Sequence, residues 1–414
     1  MGDIVQRVEK HKILKTDKIY SFLDTCCFNS KNLYNHANYL LRQEYIKNHK
    51  FIGYNSLDKM LKNDKVHPDY TSLPLIQSSQ QLLRLLCKNW KSYFEAIKDY
   101  KLHPEKYNGR PKLPKYSKKI KGRKPLILTN QNCKLDGNKI VFPKAFNGFE
   151  IETEINKKSN FKCLSQVRIL PRKNYFILEI VYKVENKDLV TNSNLICIDL
   201  GINNLATVTN NIGKRPFIIN GKGLSSINQY YNKNLATLKS IAETRHKRKS
   251  TNRISSLTNK RNQRVENFMH KASRYIVNYC KDNNISKIII GYNKGWKNEV
   301  NMSKKTNQKF VEIPYRNLID KIQYKANEIG IEVIEVEESY TSGTSFLDFE
   351  KPTKDNYNKS RRVKRGLFKS NEGHLINADV NGSYQITKKY LAMIYKNRES
   401  IKNLKWIPYV VNII

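Results

Sequence analysis

Two aspartates far apart in the chain stand where metal-assisted chemistry could be done. Asp199, in ICIDLGINN, closes a short apolar run and is followed by Gly201 in a turn. A carboxylate at the end of a buried strand can face a cation instead of solvent. Asp379, in INADVNGSYQI, comes just ahead of Tyr384, Ile386 and Leu391, the apolar positions of a helix. Each has an ordinary reading as well: strand-end aspartates bond to turn amides, and either Asp379 or Asn377 can cap a helix. Joined in one fold, the two offer hard oxygen donors for Mg²⁺, with Mn²⁺ able to substitute. Two-metal phosphodiester hydrolysis holds its cations about 3.5 to 4 Å apart, which takes several carboxylate oxygens. The pair therefore calls for a third acid.

The elements around these acids have a definite order. From Leu195 the chain reads as three strands (LICID, LATVT, PFIIN) and a long basic helical region over 226–283. Strand KIII, a helix over 313–329 stopped by Gly330, strand EVIEVE and a final helix from about 380 complete the series. That order, over 191–414, is the order of an RNase H-like α/β domain. There the first, fourth and fifth strands lie parallel, and their C-terminal ends form one edge where acids converge. Residues 21–120 are helical in pattern, with Leu82, Leu83, Leu86, Trp90, Phe94 and Ile97 at helix spacing. The stretch NGRPKLPKYSKKIKGRK, Asn108 to Lys124, ends that region as an extended basic linker, in which Arg110 and Lys112 are candidates for nucleic-acid contact. Residues 121–190 hold short β-rich runs separated by turn residues, a small β-barrel or sandwich completed by residues 1–20. The fold class is thus multidomain, α+β and α/β: a helical lobe, a small β-barrel and an RNase H-like domain.

Composition narrows the partner. With 76 Lys and Arg against 36 Asp and Glu, the formal charge is +40, and 25 tyrosines and 15 phenylalanines suit base stacking beside phosphate contacts. No apolar run approaches the ~20 residues needed to span a bilayer, so a membrane partner is not expected. The reading is a soluble, intracellular protein. The seven cysteines include no C-x-x-C pair, which argues against a disulfide framework and a zinc ribbon. Other candidates for nucleic-acid contact are Lys294, Trp296 and Lys297 in NKGWK, and Arg361, Arg362 and Arg365 in RRVKRGLFKS. His374 is close to Asp379 in sequence, yet a lone loop histidine is more often incidental.

IDLGINNLATVTNN, IPYRNLIDKIQYKANEIGIEV, the following SYTS and NADVNGSYQI, in that order, resemble the RuvC-like nuclease region of the TnpB family. These are transposon-encoded RNA-guided nucleases related to Fanzor proteins and to compact type V CRISPR effectors. The helical N-terminus and the GRPKLPKY linker resemble that family too. The resemblance implies a wedge-like β-barrel and a helical recognition lobe that hold a guide RNA and its DNA heteroduplex, with the RuvC-like domain cutting the DNA. It implies a guide RNA, transposon-end-derived or CRISPR-like, and a double-stranded DNA target read beside a short duplex motif. One chain per RNA is the expectation, with a dimer as the alternative. The compartment would be the bacterial cytosol or nucleoid, or the nucleus of a eukaryotic host.

Two departures from the family pattern matter. The fourth strand usually ends in Glu, where this chain has Gly291. The segment 343–376, counterpart of the target-nucleic-acid-binding insertion, usually carries four zinc-binding cysteines, whereas here it has Ser345 and Ser370 and no cysteine. No zinc is expected. For the third acid, Glu337 and Glu338 in EVEESYTS arrive at the same sheet edge one strand farther from Asp199, a step of about 4.8 Å. Gly291 leaves a gap that such a side chain can cross. Glu338 is favoured as metal ligand with Asp199 and Asp379, because it shares a face with Ile334 and Val336. Asp348 is a weaker candidate, and Glu299 lies too far along its loop. The leading function is an RNA-guided DNA endonuclease making Mg²⁺-dependent double-strand breaks, with Asp199, Asp379 and Glu337 or Glu338 as catalytic acids. The alternatives are a nuclease-dead RNA-guided DNA-binding repressor and, more weakly, an RNase H-fold transposase.

Overall fold

The computed structural model describes residues 3–293, 295, 303–364, 366–394 and 405–413. They divide into two compact units, 3–185 and 186–414.

The first unit opens with β1 (Ile4–Leu14), α1 (Tyr20–Asn48), α2 (Tyr54–Lys62) and α3 (Ile76–Leu102). It continues with β2 (Leu126–Thr129), β3 (Lys134–Asp136), β4 (Lys139–Val141), β5 (Glu150–Glu152), β6 (Phe161–Pro171) and β7 (Tyr175–Glu185). β1 pairs antiparallel with β7 along its whole length, and the sheet runs β1-β7-β6-β2; β3, β4 and β5 form a second, three-stranded sheet. Alternate residues of β7, Phe176, Leu178 and Ile180, are buried, as a sheet with one covered face requires. One continuous core joins them to Leu33, Leu41, Leu83 and Trp90 of the helices. The basic linker does not hang free of α1. Ser30, Lys31, Asn38 and Arg42 donate to carbonyls of Pro125, Lys119 and Pro114, and Asn35 exchanges hydrogen bonds with Ser117. The backbone is held while the side chains of Arg110, Lys112, Lys115 and Lys118 stay exposed.

The second unit contains β8 (Leu195–Leu200), β9 (Asn204–Asn210), β10 (Phe217–Asn220), α4 (Lys222–His246), α5 (Asn252–Asp282), β11 (Lys287–Gly291), α6 (Lys304–Glu312) and α7 (Tyr315–Asn327). After these come β12 (Glu332–Val336), the hairpin β13 (Leu367–Lys369) and β14 (Leu375–Asn377), α8 (Ala378–Ile394) and β15 (Tyr409–Val411). Its sheet has the order β12-β11-β8-β9-β10-β15, with β11 parallel to both β8 and β12 and with β9 antiparallel to its neighbours. The three parallel ends expected from the element order therefore lie together. The helical region 226–283 is not one helix: α4 ends with Lys247 at φ 47°, and Thr251 caps a new helix by accepting from the Ile254 amide. The helix expected over 313–329 starts after Pro314, preceded by the separate α6. β15, parallel to β10, was not anticipated at all.

The two faces of this sheet are covered differently. Ile196, Ile198 and Ile290 pack with α5 and α7 residues such as Met269, Ile276 and Ile319. Leu195, Cys197, Ile289 and Val336 face the other way, onto Ile386 and Tyr390 of α8. Side chains alternate along a strand, so Asp199, Gly291 and Glu338 all belong to the α8 side. Among the described residues no helix is long and apolar enough to cross a membrane.

Candidate active site

Asp199 is the last polar residue of β8, two steps beyond Cys197 on the face that α8 covers. α8 is docked there by Ser383, whose hydroxyl donates to the Cys197 carbonyl at 3.0 Å and lies 2.8 Å from Thr209 Oγ1. That seating brings Gly382 directly against the carboxylate. A Cβ built on Gly382 would lie 2.8 Å from Asp199 Oδ2. Only a residue without a side chain lets the helix approach so closely.

Glu338 follows β12. Its amide donates to Asn293 Oδ1 at 3.0 Å, tying the ends of two neighbouring strands together. The side chain lies beside Gly291, where a Cβ would meet Glu338 Oε2 at 2.8 Å and Ile386 Cδ1 at 2.5 Å. The missing side chain at 291 is thus the space that Glu338 occupies. Glu338 Oε2 is buried with no hydrogen-bond partner. Glu337 points elsewhere: it is half-exposed, one oxygen accepts from the Ser339 amide, and the other pairs with Lys389.

Asp379 stands in the first turn of α8. Asn377 does the capping, its Oδ1 accepting from the amides of Asp379 and Val380. The Asp379 carboxylate is left for other partners: Asn204 Nδ2 donates to Oδ2 at 2.6 Å, and Arg362 is 3.5 Å from Oδ1. Tyr315 closes the floor, its hydroxyl donating to the Gly201 carbonyl at 3.1 Å.

The electrostatics are those of crowded acids whose burial outweighs the nearby cations Arg362 and Lys389. Burial, then the charges of Glu338 and Asp379, push Asp199 well above the usual carboxylate range, against the opposing pull of Arg362. Burial, followed by Glu337, pushes Glu338 up to about 7, with Lys389 opposing. Burial and both acids also raise the Tyr315 phenol. A buried carboxylate oxygen without a donor is costly, and like charges this close favour the protonated state. A divalent cation would relieve both, and all the donors are hard oxygens. Carboxylate oxygens are the donors that Mg²⁺ takes.

The remaining candidates are placed as follows. Asp348 accepts from the Asn371 amide at 2.7 Å and lies 3.9 Å from Arg361, so its carboxylate is engaged within the insertion. Arg361 is turned inward, donating to both oxygens of Glu350 at 2.8 Å and to Asn371. It holds the insertion together and is not offered to a phosphate. Ser345 and Ser370 are buried; the Ser345 amide donates to Glu350, and the hydroxyl of Ser370 accepts from the His374 amide. His374 is exposed beside Glu372. Lys294, Trp296, Lys297, Glu299 and Arg365 lie outside the described residues. Asn204, Tyr315 and Gly382 were missed by sequence reasoning. The signal was their position inside the motifs, Asn204 and Gly382 in those around Asp199 and Asp379 and Tyr315 in IPYRNLIDKIQYKANEIGIEV.

A six-stranded sheet in the order β12-β11-β8-β9-β10-β15, with three acids at the ends of its parallel strands and terminal helix, has the RNase H-like fold of RuvC-like domains. Comparison with known proteins agrees with that class. Residues 179–297 match the OrfB_IS605 family, described as a probable transposase, and residues 315–386 match the TNB domain of Cas12f1-like proteins. The TnpB-like protein ORF457 of Acidianus two-tailed virus is 25% identical over 405 residues, covering 88% of this chain and 82% of that one. In both its family matches and this relative, the chain is similar to TnpB-like proteins. Among solved structures, a Cas12f1–sgRNA–target DNA complex is 16% identical with a TM-score of 0.37, covering 94% of this chain and 100% of that one. The mini RNA-guided endonuclease CRISPR-Cas_phi3 is 8% identical with a TM-score of 0.48, covering 94% and 92%.

Proposed function

We propose that this chain is an RNA-guided DNA endonuclease in which base pairing to a guide reads the target and the protein supplies charge, shape and a short duplex-motif contact. The observation that carries this reading is Glu338 in the space left by Gly291, beside Asp199 and on the same side of the sheet. It supplies the third acid that a cutting enzyme needs and that a mere binder does not.

Asp199, Glu338 and Asp379 would hold Mg²⁺, or Mn²⁺ in its place. Bound there, the cations supply an activated water and stabilise the leaving oxygen of the cut phosphodiester. The surrounding residues do the positioning. Asn204 fixes the rotamer of Asp379, Gly382 lets α8 bring that aspartate to the strand ends, and Asn293 holds the backbone of Glu338. Arg362, 41% exposed beside Asp379, is available to the phosphate of an entering strand. The exposed cations of the linker, Arg110 and Lys112 among them, would lie along the guide or its heteroduplex. The domain reading follows: 1–20 and 121–190 as the wedge, 21–120 as the recognition lobe, 191–414 as the nuclease, with 343–376 as a zinc-free insertion.

The test is to co-purify the protein with its RNA and supply a plasmid library carrying the guide-matched target. Double-strand breaks that require Mg²⁺ are the expected result. Binding without cleavage would instead establish the nuclease-dead repressor.

A further inference from the structure

The helical unit carries a cluster of donors that the nuclease reading does not use. His36 projects from α1, and Asp64 and His67 lie in the loop after α2. Asp64 Oδ2 is 3.5 Å from His36 Nε2 and 3.3 Å from His67 Nδ1, and the three ligand atoms all lie within 4.8 Å of one another. The other oxygen of Asp64 accepts from the amides of Val66 at 2.9 Å and His67 at 3.0 Å. Those bonds orient the carboxylate.

The spacing is that of a coordination tetrahedron. Zinc–nitrogen and zinc–oxygen bonds of about 2.0–2.1 Å place neighbouring ligand atoms roughly 3.3 Å apart. The two edges to Asp64, at 3.5 and 3.3 Å, are near that length, and the His36–His67 edge is within 4.8 Å. The far nitrogen of His36, Nδ1, is buried without a hydrogen-bond partner, and Asp69 Oδ2 lies 3.5 Å from it, close enough to engage it on a small shift. A carboxylate behind a histidine is the usual outer partner of a metal-ligating imidazole, because it selects the tautomer that leaves the other nitrogen free to coordinate. Simple acid–histidine ion pairing explains one such contact. It does not explain two imidazoles aimed at one carboxylate oxygen with a second carboxylate backing the less exposed ring.

We propose that His36 Nε2, His67 Nδ1 and Asp64 Oδ2 form a Zn²⁺ site, with Asp69 as the positioning residue behind His36 and water in the fourth position, toward which the exposed His67 opens. Its role is to pin the loop between α2 and Tyr70 onto α1. The absence of cysteine from 343–376 does not bear on it, since the site needs none. The proposal is independent of the nuclease reading.

The test uses the full chain with its co-purified RNA, stripped by chelator and kept in millimolar Mg²⁺ so that Zn²⁺ does not fill the acid cluster. Wild type should take up one more equivalent of Zn²⁺ than His36→Ala or His67→Ala. Co²⁺ in its place should give the visible bands of a four-coordinate site without a thiolate charge-transfer band. Asp69→Asn should keep the stoichiometry and weaken binding about 10- to 100-fold. His67 is exposed, so its variant folds whatever the metal does. Equal Zn²⁺ uptake by wild type and the His67→Ala variant, or the same Co²⁺ spectrum from both, would overturn the proposal.

Discussion

At the scale of single residues, Gly291 and Gly382 each stand where a methyl group would strike an acid. Gly382→Ala separates activity from stability. Alanine is better than glycine in a helix by about 1 kcal/mol, yet its Cβ would press on Asp199 Oδ2. The expected outcome is a Tm within a few degrees of wild type and cleavage slowed roughly 10- to 100-fold, because small misplacements of a reacting group cost that much. Asn204→Ala should lose a similar factor through a loosened Asp379, read as a higher Mg²⁺ requirement in cleavage assays. Proton linkage gives a further expectation. Glu338 has its pKa raised to about 7 in the folded chain, so the metal-free fold binds a proton there that the unfolded chain releases at lower pH. Its contribution to stability is therefore lost as pH rises from about 4.3 through 7. Mg²⁺ needs the ionised form. The Mg²⁺-induced rise in Tm should shrink as pH falls below 7, and Glu338→Gln should weaken that dependence, leaving the part that Asp199 contributes.

At the scale of elements, the strands of the second unit's sheet were legible because β8 and β11 are buried, near-continuous apolar runs and β12 is a short β-branched run between glutamates. The position of Asp199 was legible as an acid at the end of such a run, and that of Asp379 as an acid just ahead of a helix's apolar positions. Choosing Glu338 over Glu337 needed only the alternation of side chains along a strand, carried past the strand end. The break between α4 and α5 was not legible: RHKRKST contains neither Pro nor Gly, and Lys247 takes the left-handed conformation at the end of α4. β15 is too short to declare itself without its partner β10. Arg361 read as one cation in a basic run, and only the fold shows it paired with Glu350. Removing it strands Glu350 and Asp348, which are mostly buried. Breaking such a pair from one side costs ~3 kcal/mol. Arg361→Ala should therefore expose 343–376 to protease and fast hydrogen exchange, while exchange in α5 and β8 stays unchanged.

At the scale of the whole molecule, a charge of +40 is spread over two compact units whose cores are separate. The basic linker belongs to the first unit, zipped by its backbone to α1 with most of its cations outward, an arrangement that suits phosphate contact. The acids belong to the second unit, in a pocket of crowded carboxylates that a divalent cation would neutralise. The central claim is that the acid lost at Gly291 is supplied by Glu338. The most direct measurement is Mg²⁺-dependent cleavage of a guide-matched plasmid by wild type, Glu337→Ala and Glu338→Ala, each loaded with the same RNA. The account predicts double-strand breaks by wild type and Glu337→Ala at comparable rates, and a loss of roughly 10³-fold in Glu338→Ala, on the scale of removing one charge-stabilising group. Undiminished cutting by Glu338→Ala would contradict it.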